Sequence, residues 1–237
     1  MSSLSLPDFS KAKILVFGDV MLDGYWHGDS NRVSPEAPVP VVKVDQMQDF
    51  LGGAANVAAN CASLGAQTHL LGVIGQDQSA KTLKSLLDDH NIQHTLLESD
   101  THPTIRKIRV IAQQQQLLRM DFEKNFEAAF VQVLKKEFEK CVQSVDMVII
   151  SDYAKGTLGD IHAFIALAKK YGKKVLVDPK SKDYSHYQGA DLITPNRNEF
   201  ELAFGASKDF VSINNKAQDA MAQFNIDHIL ITLGADG

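Results

Sequence analysis

Gly52-Gly53-Ala54-Ala55-Asn56-Val57-Ala58-Ala59-Asn60 closes a loop with two glycines and opens a helix on a run of small residues. Paired glycines reach backbone conformations closed to other residues and let a ligand approach the main chain. A helix that starts there turns unpaired N–H groups and its positive end outward. Helical spacing puts Ala54, Val57, Cys61 and Leu64 toward a core, and Asn56 with Asn60 on a neighbouring stripe. An amide both donates and accepts hydrogen bonds, which suits a polyhydroxylated ligand such as a sugar. Taken alone, the stretch reads equally as a glycine turn before an alanine-rich packing helix, its asparagines capping or facing water.

To either side the chain alternates apolar strands with amphipathic helices. Residues 13–19 (KILVFGD) end an apolar run on a glycine and an acid, as a buried parallel strand does. Further strands are expected over 69–75, 145–151, 174–178, 191–194 and 228–233, and helices over 76–90, 127–143, 158–171, 197–204 and 214–224. This alternation predicts an α/β fold, a mostly parallel sheet with helices on both faces. Two segments break the rhythm. Pro35, Pro38 and Pro40 keep 31–46 out of a helix, and 39–44 reads as an edge strand. Residues 104–111 and 116–122 read as a hairpin, with Lys107 and Arg109 on one strand face and Arg106 on the other.

With 44% hydrophobic and 22% charged residues over 237, the composition is that of an ordered protein with material for a sizeable core. A formal net charge of −5 argues against a nucleic-acid binder. Cys61 and Cys141 are isolated, without metal-ligand spacing, and read as buried thiols of a reducing compartment. No run approaches the roughly 18 apolar residues that span a membrane, and the N-terminus has no signal-peptide pattern, so no membrane partner and a cytoplasmic location are expected. The dinucleotide GxGxxG, the P-loop GxxxxGK[ST], HExxH and GxSxG are all missing from these residues. The eight histidines are scattered and expected at the surface.

Polar residues gather where open α/β sheets bind ligands, beyond the carboxyl ends of strands. They are Asp19 with Asp23, Asp152 with Lys155, Asp178 with Lys180, Asn196 with Glu199, and Thr232 with Gly234. Strand ends furnished this way point to an enzyme, although Asp19, Asn196 and Asp160 would each serve as a plain helix cap.

Over essentially its whole length the chain resembles the ribokinase-like (phosphofructokinase-B type) carbohydrate kinases. The likeness rests on residues 52–58 as a first signature, and on the order of Val16-Phe17-Gly18-Asp19, Asp178, Asn196-Arg197-Asn198-Glu199 and Thr232-Leu233-Gly234-Ala235-Asp236-Gly237. Within that family, GDVMLD at 18–23, RVSPEAPVPVV at 32–42, THPT at 101–104, LRMDFE at 118–123 and SDYAKG at 151–156 are similar to heptose 7-phosphate kinase modules. The resemblance implies ATP-dependent phosphorylation of D-glycero-β-D-manno-heptose 7-phosphate at its 1-position, toward ADP-heptose for the lipopolysaccharide core. A kinase for another phosphosugar or a nucleoside is the alternative, as is a non-catalytic sugar-binding or dimerisation module.

The resemblance further implies a Rossmann-like core with a small β lid, formed by 32–50 and 103–122 within one domain spanning 1–237, and a homodimer made through the lid. Asp19, Gly52, Gly53, Asn56 and Asp152 would then bind the sugar. For its phosphate, charge and position nominate Lys107, Arg109 and Lys155. Asn196, Arg197, Asn198 and Glu199 would lie at the ATP phosphates, with Glu199 organising Mg²⁺ through water, and Thr232, Gly234 and Gly237 along the nucleotide. One departure matters. The family's D-T-x-G-A-G-D string, with its anion hole and general-base aspartate, is not among these residues. Gly234-Ala235-Asp236-Gly237 matches an earlier turn of the family, so Asp236 is not that base and no catalytic residue is assigned. The chain is expected to be a C-terminally truncated, catalytically incompetent part of a kinase module with apolar surface left open.

Overall fold

The computed structural model describes residues 7–126 and 129–237. In chain order its first elements are β1 (Lys13–Gly18), β2 (Val20–Val33), β3 (Pro40–Gly53), α1 (Ala54–Ser63), β4 (Gln67–Gly75), α2 (Gln78–Asp89) and β5 (Gln93–Ser99). There follow β6 (Ile105–Ala112), β7 (Gln115–Phe122), α3 (Ala129–Val142), β8 (Met147–Ser151) and α4 (Ile161–Lys170). The last are β9 (Lys174–Asp178), β10 (Leu192–Ile193), α5 (Arg197–Phe204), α6 (Phe210–Phe224) and β11 (His228–Ile229).

Seven strands form one sheet in the order β11-β10-β9-β8-β1-β4-β5, and every neighbouring pair is parallel. The chain builds from β1 outward to β4 and β5, then returns to lay β8 and its successors on the other side. That reversal puts a crevice beyond the carboxyl ends of β1 and β8. β1 is apolar throughout because both of its faces are covered. Leu15 and Phe17 turn toward α3 and α4, where the rings of Phe17, Phe138 and Phe164 stand 4.6 to 5.3 Å apart. Ile14 and Val16 turn toward α1 and α2, among Ala58, Leu70, Leu83 and Leu87. Full burial of each large side chain contributes roughly 1.5–3 kcal/mol.

The buried stripe of α1 is Ala54, Ala55 and Ala58. Val57 and Cys61 are only partly buried, and Leu64, at the C-cap, is 55% exposed. This corrects the expected Ala54, Val57, Cys61 and Leu64 set: the alanine face lets the helix lie closer to the sheet than larger side chains allow.

The remaining strands form a second sheet, β3-β2-β6-β7. β2 pairs antiparallel with β3 and parallel with β6, and β6 pairs antiparallel with β7. The expected edge strand at 39–44 is the beginning of the 14-residue β3, and the expected hairpin is β6–β7, turning on Gln113 and Gln114 at φ 52 and 63. β2 and β5 lie outside the expected elements. A single residue separates β1 from β2 and β3 runs straight into α1, so the first passage through the small sheet has no linker at either end, whereas β6 is reached across residues 100–104.

Some boundaries move. α6 starts at Phe210 because Asp209 caps it, its carboxylate accepting from the Ser212 amide at 2.8 Å. The strand expected at 228–233 is a two-residue β11 followed by an Asn196–Thr232 bridge. Of the helix expected at 127–143, α3 covers Ala129–Val142, and residues 127 and 128 lie outside the described residues. Cys141 is buried and Cys61 partly buried, both as free thiols. Four histidines leave the expected surface: His102 is buried, His27 and His94 are partly buried, and half-buried His69 lies with Nε2 2.9 Å from Thr95 Oγ1. Among the described residues no helix is long and apolar enough to cross a membrane.

Candidate functional site

Asp19 occupies the single position between β1 and β2 and is fully buried. Its Oδ2 accepts from the amides of Tyr153 (2.8 Å) and Lys155 (3.1 Å), and its Oδ1 from that of Thr157 (3.3 Å). Burial raises the Asp19 carboxyl above its ordinary value despite these donors. With its oxygens so engaged, Asp19 shapes the loop 152–157 rather than facing the crevice. That loop needs help: Ala154 is left-handed at φ 55, and a Cβ on Gly156 would lie 2.8 Å from the Phe126 carbonyl oxygen.

The acid that does face the crevice is Asp23, on β2. Its Oδ1 accepts from Arg109 Nη1 at 2.8 Å, and the Arg109 guanidinium lies 5.0 Å from the centre of the Tyr25 ring. A Cβ on Gly52 would stand 2.7 Å from Asp23 Oδ2, so glycine is what lets this carboxylate settle against the end of β3. Gly53, at φ 53, brings α1 within reach of the β1–β2 joint, where the Ala54 amide donates to the Asp19 carbonyl oxygen at 3.0 Å. Asp23, Tyr25, His27, Gln48, Phe50, Leu51 and the exposed Asn56 surround a cleft of about 470 Å³.

Lys107 shares the Arg109 face of β6 but has other partners. Its Nζ donates to Asp121 Oδ2 at 3.2 Å and to Glu123 Oε2 at 3.0 Å. Lys155, from the loop that Asp19 holds, donates to the other Glu123 oxygen at 2.7 Å. The hydrogen bonds from Lys155 and then Lys107 hold the Glu123 carboxyl below its ordinary value. Lys107 and Lys155 are thus brought together on one carboxylate, while Arg109 belongs to Asp23. Arg106, on the opposite face, pairs with Asp49 at 2.8 Å.

Val57 begins a second cleft, of about 560 Å³, next to the first. Asp152, Asp178, Lys180, Asn196, Glu199 and Thr232 line it from the carboxyl ends of β8, β9 and β10 onward. Asp152 Oδ2 accepts from the buried Tyr187 hydroxyl at 2.6 Å, and that hydroxyl oxygen accepts from the Lys180 and Ser181 amides at 3.0 and 2.7 Å. Burial, then the charges of Glu199 and Asp152, push the Asp178 carboxyl up to about 6. Asn196 and Glu199 form a capping box on α5: each side chain accepts from the other's amide, at 2.9 and 3.0 Å. The other Glu199 oxygen accepts from Lys180 Nζ at 3.1 Å. Arg197 turns away to Glu201 at 3.1 Å, and Asn198 is exposed. Gly234 and Gly237, at φ 65 and 128, have open space where a side chain would stand.

Among the described residues no three acidic, cysteine or histidine side chains converge to hold a metal directly. Asp152, Asp178 and Glu199 do surround one cleft, where burial and then the charges of Glu199 and Asp152 raise Asp178. Oxygen donors with surplus negative charge and no direct chelate fit a hydrated Mg²⁺ bound through its waters beside phosphates.

Strand-end reasoning reached Asp152, Asp178, Asn196 and Glu199. It noted Asp23 at a strand end without giving it a role, and did not reach the cleft-lining Tyr25 or the hydrogen-bonded Glu123 and Tyr187. For Asp23 a signal existed once β2 is read as a strand, because Asp23 lies opposite Lys107, and Tyr25 opposite Arg109, on one sheet face. Glu123 and Tyr187 carry no local signal.

The family model for pfkB family carbohydrate kinases matches residues 11–237. The bifunctional protein HldE of Erwinia tasmaniensis is 46% identical over 234 residues, which is 99% of this chain and 49% of that protein. HldE of Shewanella denitrificans is 47% identical over the same shares. The chain therefore spans about half the length of these curated relatives. Among solved structures, a ribokinase from Arabidopsis thaliana in complex with ribose and ATP superposes with a TM-score of 0.75 at 17% identity, over 96% of this chain and 73% of that one. Phosphofructokinase-2 from Escherichia coli in complex with potassium gives 0.75 at 19%, over 96% and 74%. At such identities the likeness is one of fold, and it matches the expected parallel sheet with its added small sheet.

Proposed function

We propose, from the premise that this chain belongs to the pfkB family of carbohydrate kinases, that it carries the substrate sites of a heptose 7-phosphate kinase acting on the 1-hydroxyl with ATP. One observation carries the reading. Asp23 of the polar cleft lies in register with Lys107 on β6, and Lys107 and Lys155, from distant parts of the chain, are already gathered around a single anion. A phosphorylated polyol needs just this combination, hydrogen-bonding groups along the chain and paired cations at one end.

In this assignment Asp23 and Asn56 take sugar hydroxyls over the Gly52–Gly53 main chain. Lys107 and Lys155 take the substrate's phosphate, and Arg109 orients Asp23. Asp152 and Asp19 act by holding the loop that carries Lys155. ATP occupies the second cleft, along Asn196, Glu199, Thr232, Gly234 and Gly237. Asp152, Asp178 and Glu199 hold Mg²⁺ through water, and the ion, when bound, supplies positive charge to the phosphates. Phosphoryl transfer depends mainly on positioning and charge stabilisation, which is what these residues provide.

The small sheet acts as the lid of a single domain. Its face away from the cleft shows Met47, Leu118 and Phe122 at 64%, 46% and 51% exposure, and a second copy of the chain covers it. The D-T-x-G-A-G-D string is not among these residues, so this span alone is expected to turn over very slowly.

Initial rates of the full parent protein on a panel of phosphosugars, free sugars and nucleosides test the proposal. Heptose 7-phosphate is expected to lead unphosphorylated sugars by about 100-fold or more in kcat/KM. A parent protein that prefers a nucleoside or a free sugar overturns it.

A further inference from the structure

We infer that Glu123 is a built-in occupant of the phosphate seat, so that a phosphorylated substrate binds by exchange with this carboxylate. The inference rests on the assignment of Lys107 and Lys155 to the substrate's phosphate, and it adds how that seat rejects uncharged sugars.

The geometry is that of a bound anion. Glu123 offers one oxygen to each lysine, Oε2 to Lys107 at 3.0 Å and Oε1 to Lys155 at 2.7 Å, as a phosphate bridging two ammonium groups would. The two lysines come from separate bodies. Lys107 stands on β6 of the small sheet, and Lys155 on a loop of the large sheet held by Asp19. Their side chains are 14% and 21% exposed, and their two ammonium groups, drawn to one carboxylate, repel each other when nothing stands between them. An anion between them is therefore a standing requirement of the seat.

Glu123 is suited to leave. It lies just past β7, in a stretch without regular structure, and its side chain is 29% exposed. Its departure strands neither the sheet nor the loop. Lys107 keeps Asp121, and the loop stays tied to the neighbouring segment through the Phe126 amide, which donates to the Lys155 carbonyl oxygen at 3.0 Å. Arg109 takes no part, being held by Asp23 and Tyr25. A phosphate monoester brings more charge and one more oxygen than a carboxylate, so it wins the exchange. A free sugar brings no charge and leaves Glu123 seated.

Inorganic phosphate is the probe, titrated into the 237-residue chain by calorimetry at low ionic strength. Glu123→Gln keeps the shape, removes the competing charge, and is expected to tighten phosphate binding roughly three- to tenfold. Glu123→Asp keeps the charge on a side chain one methylene shorter and is expected to fall between wild type and Glu123→Gln. Lys155→Met is expected to weaken binding at least about tenfold, as loss of a charge-assisted partner does. Glu123→Gln binding equal to or weaker than wild type overturns the inference, as does the absence of phosphate binding in every form. Inorganic phosphate carries no sugar, so an error in the heptose assignment alters the ranking of sugars and leaves this comparison intact.

Discussion

The two clefts meet at Asn56 and Val57 but are built on opposite electrostatic plans. Over the large sheet, carboxylates crowd one another: burial, then the charges of Glu199 and Asp152, push Asp178 up to about 6. Backbone amides and a tyrosine steady the group, and Lys180, on Glu199, is a lone cation among three acids. On and beside the small sheet, the acids near the first cleft are matched to cations, Asp23 to Arg109, Asp121 to Lys107 and Arg119, Glu123 to Lys107 and Lys155. The first plan leaves negative charge in want of a cation. The second leaves cations that can trade one anion for another. A kinase needs both, a seat for metal-bound phosphates and a seat for a substrate anion, and separating them keeps each from filling the other.

The strongest way to break this contrast is at the joint. Asp19→Ala leaves three amides, one buried and two partly buried, without an acceptor and is expected to cost about 3–5 kcal/mol in urea unfolding. Asp19→Asn, which keeps one acceptor, is expected to cost less. A loss under about 1 kcal/mol for the alanine variant would remove the joint from the account.

Asp178→Asn probes the acidic plan. A folded-state value near 6 against an ordinary 3.8 means the folded protein holds this proton more tightly than the unfolded chain. The wild type therefore loses stability as pH rises between these values, and the penalty is complete by pH 7. The variant is expected to be more stable by about 1–2 kcal/mol at pH 7 and unchanged near pH 3, measured by denaturation at both. Equal stability at pH 7 means the repulsion is already relieved in solution.

Smallest in stability is the pairing on the small sheet. Arg109→Ala and Arg106→Ala each remove a side chain from a half-buried ion pair, and each is expected to cost about 1 kcal/mol or less. They separate in function: only the Arg109 change should impair sugar-phosphate binding, since Arg106 and Asp49 lie on the other face. Equal loss of binding in both would mean that the small sheet matters as a platform and its faces are not distinct.

How far the sequence discloses this depends on locality. β1, β4 and β8 stand out because both faces are covered, and such strands read as unbroken apolar runs. β2 does not: VMLDGYWHGDSNRV mixes ring, glycine and acid, is half-exposed along most of its length, and shifts register at His27/Gly28 and Asp29/Arg32. Period-two alternation separates Lys107 and Arg109 from Arg106 without any structure. Their partners are another matter, since the choice of Asp23 or Glu123 is set by pairing across strands distant in the chain. Asp19 and Asp23 belong to one six-residue string, and only the break between β1 and β2 tells the buried brace from the ligand. Asn196 and Glu199 are legible as a capping box, a wholly local device, and their place on the acidic cleft is invisible to local reasoning.

The missing linker at the first passage between the two sheets has a mechanical consequence. Asp19 is at once the last step off the large sheet, the acceptor that ties Ala54 where the chain returns, and the clasp on the loop bearing Lys155. The chain passes between the sheets again at β5–β6 and β7–α3, and of these crossings the one at Asp19 is the shortest, so a tilt of the small sheet is felt there directly. Whatever moves Asp19 therefore also moves the loop that bears Asp152 at the edge of the acidic cleft, so the two clefts are geared together rather than free to shift apart.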